Sequence, residues 1–422
     1  MASLRAARFQ EHENPMSASI HPRRVSAILW TVNLSSIAAS VFSYVYLSYF
    51  VYQRTGNVLL SEWVLLAPMV IPVLLCLVIS RIAAAGTPRS VLMVCNTVGL
   101  GCALLCYGLL DRFIWPALVA ALLIGFLDAL QRVARTVAVK RYFSDADVKY
   151  AVPITLTAQF IAGGVAGVAL AFYRADITPL VANAIVSTGF LLAMLAARLL
   201  PAHSKEGRAA PASAPRQRNP LSHLWQLLKQ DANLRRHFFA FLIFVSIFQG
   251  FFNVSRVTLP TYVLKLSQSW VGYLQMISAS SALAGALLFV WLGKRKIVLG
   301  RAASVAVSAI ALLAMAGSCS LGQPVGSYVL YFVFMFAWEL LFFKYQSDLV
   351  AVTPQDHMPL VATFQYAGVY LGMLVAGTLG GMLTERIGLP ACAGVFALVY
   401  LVVMPLNALQ GRQLARQAAS AG

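Results

Sequence analysis

The chain has 422 residues, of which 60% are apolar and 11% carry a charge. Soluble domains carry about 25% charged residues, so this composition cannot supply the surface of a soluble protein of this length. The formal charge of +18 is spread between long apolar runs rather than gathered in a basic patch. We therefore exclude a nucleic-acid partner and expect the lipid bilayer to be the solvent.

Twelve apolar runs reach the length of about 20 residues that crossing a membrane requires. The sequence thus predicts an all-α membrane protein with twelve transmembrane helices in two pseudo-symmetric six-helix halves. We number them spans 1 to 12 in chain order. Their predicted bounds are 25–51, 58–80, 90–110, 113–138, 151–173, 177–199, 236–264, 269–292, 297–318, 326–347, 358–384 and 388–409.

A polar segment rich in Pro, Ala, Ser and Arg divides the two halves. The predicted organisation is a tail over 1–24, an N-terminal half over 25–199, a linker over 200–235, a C-terminal half over 236–409 and a tail over 410–422. Within the linker, four leucines recur at helical spacing, namely Leu221, Leu224, Leu227 and Leu228. This pattern predicts an amphipathic helix on the membrane surface, and a solvated linker with one helical turn is the alternative.

Basic residues are distributed unevenly between the two ends of the spans. Of the 32 Lys and Arg residues, 26 lie on the side of the N-terminus and 6 on the opposite side. By the positive-inside rule, both termini and the linker are expected in the cytoplasm.

Polar stripes on spans 1 and 7 indicate a common interior. Each stripe follows spacings of three and four residues. The members are Asn33, Ser36, Ser40 and Ser43 in span 1 and Ser246, Gln249, Asn253 and Arg256 in span 7. Each residue of the first stripe is separated from its counterpart in the second by 213 residues. Such spacing places a set on one helix face, and a polar face turns away from lipid. We expect these side chains at a central substrate cavity. Serines bonded back to their own helix, and an Arg256 that reaches the membrane interface, are the alternatives.

Three further groups complete the candidate site. The intramembrane carboxylates Asp128 in span 4 and Glu339 in span 10 are the candidate proton-coupling residues, because a carboxylate at that depth is kept for a partner or a function. Local pairing with Arg132 and Lys344, respectively, is the alternative. Tyr366 and Tyr370, one turn apart in span 11, join the cavity set, with plain packing as the alternative reading.

The sequence lacks the groups that other functional classes need. All six histidines lie in loops or at span ends, and the cysteines have no metal-site spacing, so we expect no metal, no cofactor and no membrane enzyme. A phosphate-binding Gly-rich loop is also missing, so the energy for transport must come from an ion gradient or from the substrate's own gradient.

Six plus six helices around a long middle linker resemble the major facilitator superfamily. The first hairpin, with Thr55-Gly56 followed by Pro68 and Pro72, looks like the branch that contains the bacterial enterobactin exporter and drug-efflux carriers. The stretch 220–287 is similar to the same branch, with Asn233 to Arg236, then Leu259-Pro260, then Gly272. The resemblance implies that helices 1, 4, 7 and 10 line a central cavity, where the polar stripes and carboxylates fall.

The leading hypothesis is a proton-coupled exporter of a small organic molecule, either a siderophore or a drug-like compound. An importer of a siderophore or nutrient is the alternative within transport, and a membrane enzyme is the remote alternative. The expected setting is a monomer in the bacterial inner membrane, with protons, substrate and lipid as its partners.

The charge distribution gives a testable orientation. A reporter that works only in the cytoplasm should be active when fused at Ala212 in the linker. A reporter that works only outside the cytoplasm should be active when fused at Lys265, between spans 7 and 8. Activity of the Ala212 fusion on the outer side would contradict the predicted topology.

Overall fold

The computed structural model describes residues 22–55, 64, 68–172, 178–202, 220–266, 269–295 and 297–421. Within these ranges every regular element is a helix. Most of the predicted N-terminal tail, Gly56 and residues 203–219 of the linker lie outside the described residues.

The helices follow the order of the predicted spans. Spans 1 to 6 are Pro22–Thr55, the pair Pro68–Leu74 and Cys76–Ala85, Pro88–Cys102 with a π-helical end at Ala103–Tyr107, Trp115–Tyr142, Asp145–Phe172 and Pro179–Arg198. The linker helix is Pro220–Gln230. Spans 7 to 12 are Ala232–Thr258 with a π-helical end at Leu259–Val263, Ser269–Lys294, Arg301–Ser320, Pro324–Val352, Met358–Ile387 and Leu389–Ala421.

Among the described residues, ten helices are long and apolar enough to cross a membrane, and the bent pair in span 2 makes an eleventh. The apolar part of span 5, Ala151–Val165, is shorter and lies where a twelfth span is predicted. The all-helical membrane fold predicted from the sequence is therefore confirmed. In span 12 the apolar stretch ends at Leu409, but the helix continues to Ala421 through the predicted tail.

Span 2 is broken at Leu75. The pieces on either side of this residue differ in direction by 78°. Pro72, within the first piece, has no N–H to donate to the carbonyl of Pro68, so that piece lacks one hydrogen bond of a regular helix.

Capping residues set several helix starts. Thr87 and Thr178 stand before a proline, and their hydroxyls accept from the N–H of Ser90 and Val181, respectively. Asp231 accepts from two N–H groups at the start of span 7, each at 2.9 Å. This cap ends the linker helix and begins span 7 at Ala232, four residues before the predicted start, because a side-chain acceptor satisfies otherwise free N–H groups.

The two halves repeat one packing pattern. Span 1 contacts spans 4, 5 and 6, and span 7 contacts spans 10, 11 and 12 in the same way. The halves meet where span 2 contacts span 11, span 5 contacts spans 8 and 10, and span 4 contacts span 11. The interface between the halves is therefore formed mainly by spans 2, 4 and 5 of one half and spans 8, 10 and 11 of the other.

The linker helix packs on the end of the bundle that also holds the start of span 1 and the end of span 4. We call this the basic end. Leu224 and Leu228 are buried, whereas Leu221 is exposed. The rings of His223 and His357 meet edge to face at 5.1 Å between their centroids, which joins the linker helix to the turn before span 11. A helix is thus present in the linker, and three of its four leucines, Leu224, Leu227 and Leu228, pack against protein.

Small residues bring spans 7 and 11 close together. A Cβ added at Gly372 would lie 1.9 Å from the Ser246 hydroxyl oxygen, and one added at Gly250 would lie 2.4 Å from the Cβ of Ala376. Ser246 and Gly250 are four residues apart, as are Gly372 and Ala376, so each helix presents a pair of small residues to the other. This is the arrangement that lets helix backbones approach inside a membrane.

The close approach predicts which glycine tolerates a side chain. Gly372→Leu should lower the thermal unfolding temperature in detergent, because overpacking a tight contact costs about 1–3 kcal/mol. Gly377→Leu, in the same helix, is the control, since a Cβ there meets nothing within 4 Å. Equal unfolding temperatures for the two variants would show that spans 7 and 11 do not pack through Gly372.

Candidate functional site

Three charged side chains form a buried cluster on span 4. Arg132 Nε donates to Asp128 Oδ2 at 2.8 Å, and Arg135 Nη2 lies 4.0 Å from Asp128 Oδ1. The side chains of Asp128 and Arg135 are 5% and 8% exposed and are removed from bulk water, whereas that of Arg132 is 24% exposed. The spacing of four and seven residues places all three on one helix face. The local pairing of Asp128 with Arg132, the alternative to a free carboxylate, is present.

Two members of the span 1 stripe connect span 1 to this cluster and to span 5. Asn33 Nδ2 donates to the carbonyl of Thr155 at 2.8 Å. Ser36 Oγ accepts from Arg135 Nη1 at 3.3 Å and donates to the carbonyl of Val32 at 2.7 Å. The serine thus bonds back to its own helix and also holds the arginine.

The outer members of the stripe lie in the core of the N-terminal half. Ser43 Oγ and the Tyr107 hydroxyl are 2.5 Å apart, which joins span 1 to span 3. Ser40 Oγ, Asn33 Oδ1 and the Tyr44 hydroxyl are buried with no hydrogen-bond partner among the described residues. Buried polar atoms in proteins are normally hydrogen-bonded, so these three acceptors or donors are available to a ligand or to water.

A small cavity lies beside the cluster, between the halves. Its volume is about 30 Å³, counted as space open to the centre of a water molecule, which is room for about two waters. Its wall combines spans 1, 4, 5, 10 and 11, and the lining residues are Asn33, Ile37, Arg132, Arg135, Thr136, Val139, Val152, Thr155, Leu156, Gln159, Gln346 and Tyr366.

The two tyrosines of span 11 face the cluster from the C-terminal half. The Tyr366 hydroxyl lies 3.1 Å from Thr136 Oγ1 of span 4. Tyr370 has Arg132 and Asp128 as its main electrostatic neighbours, and Tyr44 shares both of them. Aromatic hydroxyls from spans 1 and 11 therefore surround the charged residues of span 4.

Glu339 lies apart from this cluster. It is 4% exposed, and its Oε2 is buried without a hydrogen-bond partner among the described residues. Its Cβ packs against span 8, where a Cβ added at Gly285 would lie 3.1 Å away. Lys344 is not its ion-pair partner, because Lys344 Nζ donates to Asp348 Oδ2 at 2.8 Å.

The span 7 residues of the candidate site are half-buried. Gln249 and Asn253 lie one helical turn apart, and the guanidinium carbon of Arg256 is 6.0 Å from the ring centre of Phe252. Ser246, the fourth member of that stripe, contacts span 11 instead of an open cavity. The structure therefore gathers Asp128, Asn33, Ser36, Tyr366 and Tyr370 in one region, whereas Arg256 lies further along the bundle axis.

Comparison with known proteins identifies the family. A sequence profile described as the Major Facilitator Superfamily matches residues 28–359. The chain belongs to the major facilitator superfamily. The enterobactin-exporter branch gains no such support, and no curated protein sequence matches this chain.

Solved transporters share the fold. The human organic anion transporter MFSD10 (TETRAN) gives a TM-score of 0.73 at 16% identity, over 91% of this chain and 99% of that chain. FucP in its outward conformation gives 0.70 at 14%, over 91% and 98%. A bacterial homologue of the iron transporter ferroportin, outward-facing, gives 0.66 at 10%, over 92% and 99%. At these identities the likeness establishes a transporter fold.

In this superfamily member, polar contacts join the halves at the basic end. Lys140 Nζ donates to the carbonyl of Ala351 at 3.0 Å, and Gln355 Nε2 donates to the carbonyl of Lys140 at 3.4 Å. Val350, Met358 and Ala362 of the C-terminal half are buried in a core made mostly of N-terminal residues. Together with the contact of Thr136 with Tyr366, these interactions close the basic end.

Several residues of the site were not predicted as such. Arg135, Thr136 and Gln159 line the cavity, and Gln346 hydrogen-bonds Gln365 inside the C-terminal half. Arginine is rare inside membrane spans. Arg132 and Arg135, four and seven residues after Asp128, could therefore have been recognised as site residues from the sequence. The contacts of Lys140 could not be predicted from the sequence, because its acceptor is a backbone carbonyl 211 residues away.

Removal of one partner of the Asp128–Arg132 pair should destabilise the protein more than removal of both. Asp128→Asn leaves two buried arginines without a carboxylate, so its thermal unfolding temperature should fall, and adding Arg132→Gln should recover part of the loss. For contacting residues we expect a coupling energy of about 0.5–3 kcal/mol.

The matched control is the pair Lys344–Asp348, which has the same spacing but a more exposed carboxylate, at 24% for Asp348 against 5% for Asp128. Helix pairs whose charges reach water contribute about 0.3–0.5 kcal/mol, so that cycle should show weaker coupling. Equal coupling in the two cycles would mean that burial does not strengthen the Asp128–Arg132 pair.

Proposed function

We propose that the chain is a secondary active transporter that exports a small organic molecule by proton-coupled alternating access. Its proposed place is the bacterial inner membrane, with both termini cytoplasmic. The observation that carries this proposal is the buried Asp128–Arg132–Arg135 cluster, which borders a cavity between two repeated halves and faces tyrosines of the other half.

The cluster favours a substrate with an acidic group. One carboxylate and two guanidinium groups leave one positive charge in a region shielded from water. An anionic oxygen would offset that charge and could accept bidentate hydrogen bonds, which guanidinium geometry suits. The unpartnered Oδ1 of Asn33, a residue that lines the cavity, would then bind a polar group on the rest of the molecule. Siderophores and acidic drug-like compounds both have this chemistry.

Alternating access requires a gate that can open. The closed basic end is held by the apolar contacts of Val350, Met358 and Ala362 and by a few polar contacts, namely those of Lys140 with span 10 and with the turn before span 11 and of Thr136 with Tyr366. In contrast, the contacts within each half are extensive and closely packed. We therefore infer that the halves move as bodies, and that the basic end separates when substrate loads from the cytoplasm.

Proton coupling is assigned to Glu339, with Asp128 as the weaker candidate. Ionised Glu339 would place a charge among apolar neighbours without a cation partner, and such a charge is costly inside a membrane. Its contact with Gly285 places it between spans 8 and 10, both of which contact span 5 of the other half, so motion between the halves changes the water available to it. Asp128, in contrast, is already neutralised by Arg132 and would take a proton only when that pair separates.

Transport in inside-out vesicles tests the proposal. With an acidic lumen, vesicles containing the wild-type protein should accumulate carboxyfluorescein, an anionic probe, above vesicles without protein, and the cationic probe ethidium should accumulate less. Accumulation only in right-side-out vesicles with an acidic exterior would establish import instead.

Glu339→Gln should abolish accumulation driven by the pH gradient while exchange of probe across the membrane continues, because glutamine has nearly the same volume and cannot release a proton. Glu385→Gln is the matched control, since Glu385 is exposed at the end of span 11. If Glu339→Gln accumulates probe like the wild type, the coupling role moves to Asp128 or to the substrate itself.

A further inference from the structure

A second cavity lies within the C-terminal half, away from the central site. Its volume is about 360 Å³, and spans 7, 9, 10 and 12 form its wall. The lining residues are Arg236, His237, Ala240, Arg301, Ser304, Val305, Ser308, Ala309, Leu312, Lys344, Tyr345, Tyr400, Leu401, Met404, Pro405, Asn407 and Ala408.

One end of this cavity is basic. Four of its lining residues are basic and none is acidic. Lys344 is paired with Asp348, at 2.8 Å. Among the described residues no carboxylate lies within 4.0 Å of Arg236, His237 or Arg301, so these three have no ion-pair partner there. The site therefore carries an excess of positive charge at the basic end of the bundle.

Backbone geometry adds to that charge. Arg301 is the first residue of span 9, and the preceding Gly300 provides no side-chain cap. The free N–H groups and the dipole of a helix start favour an anion. Span 7 begins nearby but differs, because Asp231 caps its first N–H groups. The uncapped start of span 9 thus adds to the attraction that Arg236 and Arg301 exert on an anion.

The rest of the cavity is apolar and opens outward between spans 9 and 12. Val305 is 63% exposed and Leu401 is 57% exposed, and Met404 lies next to them on the wall. In a chain whose helices span a membrane, exposed apolar side chains at this position contact acyl chains. Ser308 and Tyr400 close the inner wall, with their hydroxyl oxygens 3.0 Å apart.

We propose that this cavity binds one anionic phospholipid of the leaflet at the basic end, with its phosphate between Arg236 and Arg301 and an acyl chain along Val305 and Leu401. Basic pockets between transmembrane helices at a membrane interface are suited to such headgroups. A free phosphate ion would use the basic end alone, whereas an amphipathic ligand uses both parts. A zwitterionic lipid would bring its own cation against Arg301.

Titration of the delipidated full-length protein in detergent, followed by native mass spectrometry, tests the proposal. Dioleoylphosphatidylglycerol should bind the wild type at least tenfold more tightly than dioleoylphosphatidylcholine. Each of Arg236→Gln and Arg301→Gln should weaken phosphatidylglycerol binding about fivefold, and the double variant about 30-fold, from the attraction per basic residue near an anionic lipid.

Two variants serve as controls. Arg295→Gln removes the same charge from the same membrane face but outside the cavity, so it should bind phosphatidylglycerol like the wild type. Arg301→Lys keeps the charge and should stay within about threefold of the wild type, which separates loss of charge from misfolding.

Three outcomes would overturn the proposal. They are equal binding of the two lipids, equal weakening by Arg295→Gln and Arg301→Gln, and displacement of phosphatidylglycerol by 10 mM inorganic phosphate. The last outcome would assign the site to a free phosphate ion.

Discussion

An ion pair inside a membrane bundle is the interaction on which the central site depends. Charges there have little water to solvate them, so Asp128 and Arg132 are stable only together and with polar neighbours. Arg135, 4.0 Å from the same carboxylate, obtains its nearest partner from Ser36 of span 1. One member of the polar stripe of span 1, Ser36, thus supplies the acceptor that this second arginine needs.

The packing within each half differs from the packing between the halves, and this difference determines which contacts can separate. Spans 7 and 11 touch through Ser246, Gly250, Gly372 and Ala376, with no room for a larger side chain. At the basic end, the halves meet through the apolar side chains of Val350, Met358 and Ala362 and through hydrogen bonds of Lys140 and Gln355 to backbone carbonyls. Such bonds can be exchanged for bonds to water with little change in free energy, whereas the interlocked small residues cannot separate without leaving voids.

Hydropathy and charge distribution were sufficient to predict the helical class and the places of the spans, because lipid imposes a long apolar run on every crossing helix. Local spacing also offered the pairing of Asp128 with Arg132, four residues on, as the alternative to a free carboxylate, and that alternative is present. The same rule explains why Lys344 pairs with Asp348 and not with Glu339, which is five residues away and on another face. Contacts between distant spans, such as that of Lys140 with Ala351, depend on the tertiary arrangement and cannot be predicted from residue spacing.

The repeat itself explains why the two intramembrane carboxylates have different surroundings. At the 213-residue offset that relates spans 1 and 7, Asp128 corresponds to Leu341, so Glu339 stands two residues before the equivalent position. Two residues turn a helix by about 200°, which directs the side chains to opposite faces. Asp128 accordingly meets Arg132 and the central cluster, while Glu339 meets Gly285 of span 8. The two carboxylates are therefore not copies of one site. A carboxylate that is already paired at the centre suits substrate binding, and one that is unpaired against a neighbouring span suits proton exchange.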